Sequence, residues 1–357
     1  MMTICYFGIY DPEYSRSRIL IRGLEENGAK IIRCHSKQTG LRKYVDLLKK
    51  YWVLRNQYDI MLVGYPGQRV IFLAWILSRK PLIFDAFISV YDSRIFDRTY
   101  AKPRSLRSIY YWLQDYFSCR LADKVLLDTK THIDYFVKTF RIEREKFQRV
   151  LVGSDDRMIF PKKKQIRDTV FTIHFHGTFI PLQGIEYIIQ AAKMLEQKNI
   201  RFNIIGQGQT YASIRYMAEQ LQVTNVTFTD NVPYRDLGTL MSHANVCLGI
   251  FGNTQKAKRV IPNKVYEALA SKCPCITGDS PAIRELLTDN QEIFLVNMAD
   301  PKALAEKILE LTEAPELLEK ISEAGYLFFQ KNLTPKKVTK DLFDLTYALT
   351  SKHSFFR

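Results

Sequence analysis

A lysine and a glutamate stand three residues apart at the start of a predicted helix. Lys264 and Glu267 lie within the run Pro-Asn-Lys-Val-Tyr-Glu-Ala-Leu-Ala, residues 262–270, and this spacing puts both on one face of the first turn. Asn263 is expected to cap the helix, so that amide groups with a partial positive charge are left at its start. A lysine beside such amides suits a phosphate group, and a carboxylate suits sugar hydroxyls. The pattern predicts a site for a nucleotide sugar.

Predicted β-strands lie on both sides of this helix. An apolar run at 244–251 precedes it, and a second one at 274–277 follows it. A strand, loop, helix and strand in this order are typical of a parallel α/β sheet, in which ligands bind beyond the carboxyl ends of the strands. The sequence therefore predicts that Lys264 and Glu267 lie at such an edge.

Glycine and small polar residues follow three further predicted strands in the second half of the chain. They are Gly177 with Thr178, then Gly206, and then Asn231 with Val232. Glycine at a strand end lets backbone amides approach a phosphate, and ordinary turns are the alternative explanation for each one. Together with the helix at 262–270 they predict a bound nucleotide.

The whole chain has the alternation of strands and helices that indicates doubly wound parallel sheets. Its 357 residues, 46% of them hydrophobic, suffice for two domains. A polar stretch at 153–164 predicts the boundary, with a first domain at 1–160 and a second at 165–334. Residues 335–357 are expected to form a helix that packs back on the first domain. Gly8, after the first strand, is expected to face the cleft between the domains and to be one of the donor-binding residues.

Positive charge is concentrated in the first half of the chain. Residues 1–164 have a net charge of +14, and the remainder has +1. An anionic membrane surface attracts each nearby basic side chain by about 1 kcal/mol. One basic and aromatic segment is predicted to contact the membrane or the acceptor. Its residues are Arg94, Arg98, Arg104, Arg107 and Trp112. A surface helix whose aromatic side chains pack on its own domain is the alternative.

The expected location is the cytoplasm, peripheral on the inner face of the cell membrane. No apolar run reaches the roughly 18 residues that a spanning helix needs, and a strand is predicted almost at the N-terminus, where a signal peptide would lie. The six cysteines form no Cys-x-x-Cys pair and are expected to be reduced.

At these motifs the chain resembles the family-4 retaining glycosyltransferases of GT-B fold. The match is best over residues 171–287, which hold the Gly-Thr loop, the Gly-x-Gly turn, the Asn-Val-Pro turn and the helix at 262–270. The resemblance implies an α/β chain of two facing Rossmann-like domains with an interdomain cleft. It also implies that the second domain binds the nucleotide-sugar donor and the first binds the acceptor.

The same resemblance assigns the donor-binding residues. It implies that Glu267 holds the ribose hydroxyls. The residues implied to surround the diphosphate are Gly177, Thr178 and Lys264, and those implied to lie near the base are Gly206, Asn231 and Val232.

The chain departs from the family pattern at several positions. Arg259 stands where many relatives carry a glutamate, and Thr178 and Gln183 stand where many carry an arginine and a lysine. The basic loop that contains Lys258 and Arg259 is predicted to stabilise the charge of the leaving diphosphate. A basic surface turn with no ligand is the alternative.

Asp85 is the predicted carboxylate of the first domain. Many relatives carry a histidine after the fourth strand, whereas residues 85–92 contain none. Asp85, or else Asp92, is expected to orient the acceptor or the donor sugar. The alternative is that Asp85 caps the following loop.

No Asp-x-Asp sequence occurs in the chain, so a metal bridging the diphosphate has no obvious ligands. The expected catalyst needs no divalent ion and no cofactor. The predicted function is retaining transfer of a hexose from a nucleotide-diphosphate sugar to a lipid-linked glycan or cell-surface polysaccharide precursor, with Asp85, Lys264 and Arg259 as catalytic residues. A nucleotide-sugar epimerase or hydrolase on the same fold is an alternative, because a fold does not determine function. A basic nucleic-acid-binding protein is another.

Overall fold

The protein is described here by a computed structural model that covers residues 1–162 and 170–354. These residues form two compact units. The first unit contains residues 1–153 together with the segment from Leu333 onward, and the second runs from Ser154 to Asn332.

The strands of both units alternate with helices along the chain. The strands are β1 (Thr3–Gly8), β2 (Lys30–His35), β3 (Ile60–Val63), β4 (Leu82–Phe87), β5 (Lys124–Leu127), β6 (Phe147–Arg149), β7 (Phe171–His176), β8 (Ile200–Ile205), β9 (Val226–Thr229), β10 (Val246–Leu248), β11 (Cys275–Gly278) and β12 (Phe294–Val296).

The helices connect these strands and continue beyond the last of them. They are α1 (Ser15–Glu26), α2 (Arg42–Leu54), α3 (Ile71–Leu77), α4 (Val90–Asp92), α5 (Leu106–Leu121), α6 (Lys130–Phe140), α7 (Ile185–Met194), α8 (Tyr211–Gln220), α9 (Tyr234–Ser242), α10 (Asn263–Ala270), α11 (Pro281–Arg284), α12 (Pro301–Thr312), α13 (Pro315–Asn332), α14 (Pro335–Val338) and α15 (Lys340–Ser354).

The first unit is built on a sheet whose described strands have the order β2-β1-β3-β4-β5-β6, all parallel. Successive side chains pack on opposite faces, so that Phe7 and Tyr6 belong to different clusters of buried residues. Burial on both faces explains why the inner strands β1, β3, β4 and β5 are mostly apolar in sequence. The chain continues from β1 to β2 on one side of β1 and then crosses to β3 on the other side. The switch point of this sheet therefore lies between β1 and β3.

The second unit repeats this architecture. Its described strands have the order β12-β11-β10-β7-β8-β9, again all parallel. The switch point lies between β7 and β10. Loops diverge at the carboxyl ends of the two strands on either side of such a point, so this is where a doubly wound sheet offers room for a ligand.

Residues 154–160, predicted to close the first domain, belong to the second unit. The amides of Met158 and Ile159 donate to Asp155 O, which turns the chain at this point. Lys162 Nζ then donates to Thr239 Oγ1 at 2.6 Å, at α9. These contacts fix the segment to the second unit, and the expected start of the second domain at residue 165 lies outside the described residues.

The C-terminal segment packs against α1 of the first unit. Gly23 permits this contact, because a Cβ at this position would lie 2.2 Å from Pro335 O. The Asn27 side chain donates to Lys336 O at 2.8 Å and to Thr339 Oγ1 at 3.0 Å. The segment forms two helices, α14 and α15, where the sequence predicts one. Within residues 1–162 and 170–354, no helix has the length and apolar character needed to cross a bilayer.

Candidate active site

A cluster of buried polar side chains lies at the switch point of the second sheet. His174 and His176 belong to β7, and Lys264 and Glu267 belong to α10, which follows β10. Parallel strands bring these two chain segments to the same edge of the sheet, as the sequence predicts for Lys264 and Glu267. The side chains of Lys264 and Glu267 are only 5% and 4% exposed.

The ammonium group of Lys264 lies against the Gly177 loop. Its Nζ donates to Gln183 Oε1 and lies 3.9 Å from the centroid of the Phe175 ring. Gly177 leaves room for it, since a Cβ there would come within 2.8 Å of Nζ. Burial lowers the pKa of Lys264 to about 7, although the nearby Glu267 carboxylate acts in the opposite direction. An anion that enters beside Nζ would stabilise the charged form.

The pH dependence of stability follows from this lowered pKa. Between about pH 7 and 10.5, the unfolded chain holds a proton on Lys264 that the folded chain releases, so the free energy of unfolding rises with pH in this window. We expect Lys264→Met to remove this contribution. Urea unfolding of the wild type and the variant at pH 7, 8 and 9 measures it, and parallel pH profiles would exclude the effect.

Glu267 is held by a histidine that sequence reasoning missed. Glu267 Oε2 lies 2.8 Å from His176 Nε2, and His176 Nδ1 lies 2.9 Å from His174 Nε2. Burial, together with His176 and Lys264, lowers the pKa of His174 well below its usual range. The period of two residues in a strand puts both histidines on one face of β7. That spacing, directly before Gly177, was the signal available in the sequence.

Two glycines allow the loop after β8 to pack against the loop after β7. A Cβ at Gly206 would lie 2.0 Å from Gly177 O, and one at Gly208 would lie 2.5 Å from Phe179 O. Both have positive φ angles, 137° and 155°. Close packing of two backbones accounts for these glycines, and it holds the Gly177 loop in position beside Lys264.

Asn263 does not cap α10. The cap position is occupied by Pro262, which forms no side-chain cap hydrogen bond. Asn263 is instead the first helical residue, because the proline fixes an extended backbone directly before it (φ −72°, ψ 147°).

The other predicted donor residues are more exposed than this cluster. Thr178 and Asn231 are exposed, and Val232 is half-buried. Lys258 and Arg259 are half-buried in a single helical turn, Ala257–Arg259, that precedes α10. Gln183, one of the positions at which the chain departs from the family pattern, contacts Lys264 directly.

In the first unit, three cavities lie next to Arg69, in the loop between β3 and α3. Their volumes are about 550, 400 and 460 Å³, and Arg69 lines all of them. Ile9, which directly follows Gly8, lines two of them. Gly8 has a φ of 140° and lies at the switch point of the first sheet.

Asp85 is a structural residue in this fold. Its carboxylate has no exposed surface and accepts three hydrogen bonds, at 2.8–3.2 Å, from the buried guanidinium of Arg16. Arg16 also donates to Val150 O at 2.7 Å and to Leu151 O at 3.1 Å. Burial raises the pKa of Asp85, and the ion pair opposes this rise. A carboxylate enclosed in this way cannot contact a substrate, so the catalytic role predicted for Asp85 does not fit the structure.

The predicted membrane segment divides into outward and inward residues. Arg104 and Arg107 are exposed, whereas Arg94 and Arg98 are half-buried, with the Arg94 guanidinium over the Tyr100 ring. Trp112 is turned inward: it stacks on Tyr116 and donates its indole N–H to Thr139 O at 3.2 Å. Trp112 therefore does not fit the membrane contact predicted for it, because its polar atom already has a partner within the unit.

Among the described residues, no group of three or more His, Cys, Asp or Glu side chains has the arrangement of a metal site. The six cysteines are buried free thiols.

Comparison with known proteins gives the class of this chain. Residues 156–328 match the family described as glycosyl transferases group 1. The O-antigen chain mannosyltransferase RfbU of Salmonella typhimurium is 23% identical over 80% of this chain and 76% of its own length. A sucrose-phosphate synthase from Thermosynechococcus elongatus superposes with a TM-score of 0.78 at 12% identity, covering 99% of this chain and 100% of its own. HepE of Anabaena, solved with UDP-glucose, gives 0.74 at 13% identity, covering 98% and 100%.

The fold is that of the GT-B glycosyltransferases, and these relatives indicate a glycosyltransferase. The match to the glycosyl transferases group 1 family lies within the second unit.

Proposed function

We propose that this chain transfers a hexose, with retention of configuration, from a nucleotide-diphosphate sugar to an acceptor hydroxyl on a lipid-linked glycan or cell-surface polysaccharide precursor. The names of relatives support the acceptor class, since RfbU is named an O-antigen chain mannosyltransferase. Uridine diphosphate is the first nucleotide to test, because HepE was solved with UDP-glucose. We infer no requirement for a divalent ion or a cofactor.

The observation that carries this proposal is that Lys264 and Glu267 lie on one helical turn at the switch point of the second sheet. A diphosphate at the start of α10 would meet the positive end of the helix dipole and the Lys264 ammonium, which suit its negative charge. The Glu267 carboxylate would accept hydrogen bonds from ribose hydroxyls. Lys258 and Arg259 add positive charge on the preceding turn.

Catalysis in this proposal depends on stabilising the leaving group. Negative charge develops on the diphosphate as the glycosidic bond breaks, and fixed cations in a dry site lower the energy of that state. Lys264 is already desolvated, so its charge acts at short range with little screening. The donor phosphate oxygen accepts the acceptor proton in a front-face displacement. No side chain of the first unit is assigned as a base.

The proposed location is the cytoplasmic face of the cell membrane, with the first unit toward the lipid acceptor. Its support is the net charge of +14 on residues 1–164 and the preference of basic proteins for anionic lipid. We infer no binding to nucleic acid.

Replacement of Glu267 by alanine is expected to lower UDP affinity by about ten- to a hundred-fold, because hydrogen bonds to a charged group contribute about 1.5–3 kcal/mol each. Isothermal titration with UDP measures this change. Glu285→Ala, a change at a carboxylate outside the cluster, is the control. Unchanged UDP affinity in Glu267→Ala would remove the assigned role.

A thermal-shift screen of nucleoside diphosphates tests the proposal as a whole, since a ligand that binds only the folded state raises Tm. The sugar forms of the best nucleotide are then incubated with and without an acceptor fraction. Transfer only in the presence of acceptor supports a transferase. A sugar product formed without acceptor supports the epimerase or hydrolase, and steep salt-dependent binding of oligonucleotides without any nucleotide preference supports the nucleic-acid-binding alternative.

A further inference from the structure

Three helices of the first unit carry large apolar side chains on their exposed faces. In α2 these include Leu48 and Trp52, which is 63% exposed; α3 contributes Phe72 and Trp75; and α5 contributes Leu106, which is 86% exposed, and Tyr110. The spacings within each helix are three or four residues, so each pair lies on one face. We call these six residues the three-helix face.

The three helices border one groove, so their exposed faces are neighbours. The 550 Å³ cavity is lined from all three sides, by Leu41 at the start of α2, Phe72 of α3, and Tyr110 and Phe117 of α5. Apolar surface of this extent on one side of a unit indicates a binding surface, because soluble proteins rarely expose contiguous apolar patches larger than a few hundred Å².

The charges around the three-helix face are almost all positive. Residues 41–55, 69–80 and 104–121 contain eleven Lys and Arg against two Asp and no Glu. Neither acid opposes an anionic partner: Asp46 is paired with Lys50 at 3.0 Å, and Asp115 is buried and accepts hydrogen bonds from Ser89, Val90 and Tyr91. Arg55 covers the Trp52 ring at 4.0 Å. Aromatic and aliphatic side chains within a basic rim suit the headgroup region of a bilayer.

We propose that the three-helix face is the surface by which this protein docks on an anionic membrane. The proposal gives a definite place to the membrane contact in the proposed function, on which it rests. It replaces Trp112, which points inward, with Trp52 and Trp75. Attraction by the basic rim brings the unit to the surface, and insertion of the aromatic side chains then holds it there.

Vesicle flotation of the full-length protein tests the docking surface. The probes are vesicles of phosphatidylcholine with 30% phosphatidylglycerol and vesicles of phosphatidylcholine alone, at about 50 and 500 mM salt. We expect the wild type to float with the anionic vesicles, and Trp52→Ser with Trp75→Ser to lower binding at least ten-fold. Lys49→Glu with Arg107→Glu should lower binding at low salt. Tyr216→Ser, at an exposed aromatic residue of the second unit, should bind as the wild type does.

The outcomes separate the possible occupants of the face. Wild-type binding by the double tryptophan variant, or no preference for anionic vesicles, would overturn the proposal. Loss of self-association in that variant, without loss of vesicle binding, would assign the face to a second copy of the chain. The Tm shift with UDP is measured on every variant, and we expect it to be unchanged. Its absence in the wild type counts against the proposed function and not against the docking surface.

A second inference comes from the histidines of β7, which lie in the other unit. Glu267 Oε2 has His176 Nε2 as its neighbour at 2.8 Å, and the other nitrogen of that ring is engaged by His174. An ionised carboxylate needs a donor at this distance, so His176 donates its Nε2–H. With the far side of the His176 ring engaged, the ring and the carboxylate are held in one orientation, as happens for ligating histidines.

We infer that His176 is a positioning residue that orients Glu267 for the ribose of the donor, with His174 as its support. This deepens the proposed function and rests on it. The expected results are a Kd for UDP at least ten-fold higher in His176→Leu, and partial recovery in His176→Gln, whose amide can donate from a similar place. Both variants are also compared by thermal unfolding.

Recovery by glutamine separates positioning from stability. If leucine and glutamine at position 176 weaken UDP binding equally, or if neither weakens it, the inference is wrong. Should His176→Leu fail to fold, His174→Phe, which removes only the supporting contact, is expected to raise the Kd for UDP by a smaller factor, and an unchanged Kd would then refute the inference. A wild type that binds no nucleoside diphosphate at all would instead contradict the proposed function.

Discussion

Lys264→Met is expected to lower kcat/KM for the nucleotide-sugar donor by about ten- to a hundred-fold, the effect of losing a charge-assisted contact with a diphosphate. The Lys264 ammonium is buried against Gln183 and Phe175. Among the described residues, no carboxylate forms a salt bridge with it. Its charge is costly in the free protein and is compensated when an anion binds. Methionine has a similar shape and no charge, so the expected loss is of function and not of the fold.

The control for this variant is Lys272→Met. Lys272 lies just after α10 and forms ion pairs at the surface with Glu323 and, at 3.3 Å, with Glu319. Because exposed ion pairs contribute about 1 kcal/mol at most, this variant should keep both its stability and its turnover. Equal activity of the Lys264 and Lys272 variants would contradict the account of the site.

Asp85→Ala is expected to destabilise the protein by about 3–5 kcal/mol, because it leaves the buried Arg16 charge without its partner. The double change Arg16→Met with Asp85→Leu should regain part of this loss. Full recovery is not expected, since Arg16 also donates to two backbone carbonyls. Chemical denaturation with urea measures the free energy of unfolding in each case.

A matched control is available in the same unit. Asp134 pairs with Arg144 at the surface, where both side chains are more than half exposed, so Asp134→Ala should change stability by less than about 1 kcal/mol. A similarly small loss of stability in Asp85→Ala would contradict the stabilising role of the buried Arg16–Asp85 ion pair. Under conditions where it is folded, Asp85→Ala should still respond to UDP.

Much of the fold could be predicted because both sheets are buried on two faces. Continuous apolar runs mark such strands, and the run at 60–63, for example, corresponds to β3. The C-terminal helix was harder to predict in detail: Pro335 suits a helix start, but the break at Thr339 between α14 and α15 depends on its contact with Asn27, more than 300 residues earlier.

The site was predictable where it depended on local spacing. Lys264 and Glu267 share a helical turn, and three residues of separation suffice to put them together. The side chains that contact Lys264 and Glu267 could not be predicted from local spacing. Gln183 is 81 residues from Lys264, and His176 is 91 residues from Glu267. Asp85 shows the same limit, since nothing near it in sequence indicates that Arg16, 69 residues earlier, encloses it.

Orientation was the other quantity that the sequence did not contain. Trp112 and Tyr110 are two residues apart on α5, yet one is turned toward Phe140 and the other is exposed. The same basic and aromatic composition is therefore compatible with two different surfaces. The choice between them is made by tertiary packing.

A crystal structure of the protein with UDP would show which groups hold the donor. We expect a phosphate oxygen within about 3 Å of Lys264 Nζ and a ribose hydroxyl within the same distance of a Glu267 oxygen. UDP bound at another edge of the second sheet, with Lys264 still on Gln183 and Glu267 contacting only His176, would contradict this expectation.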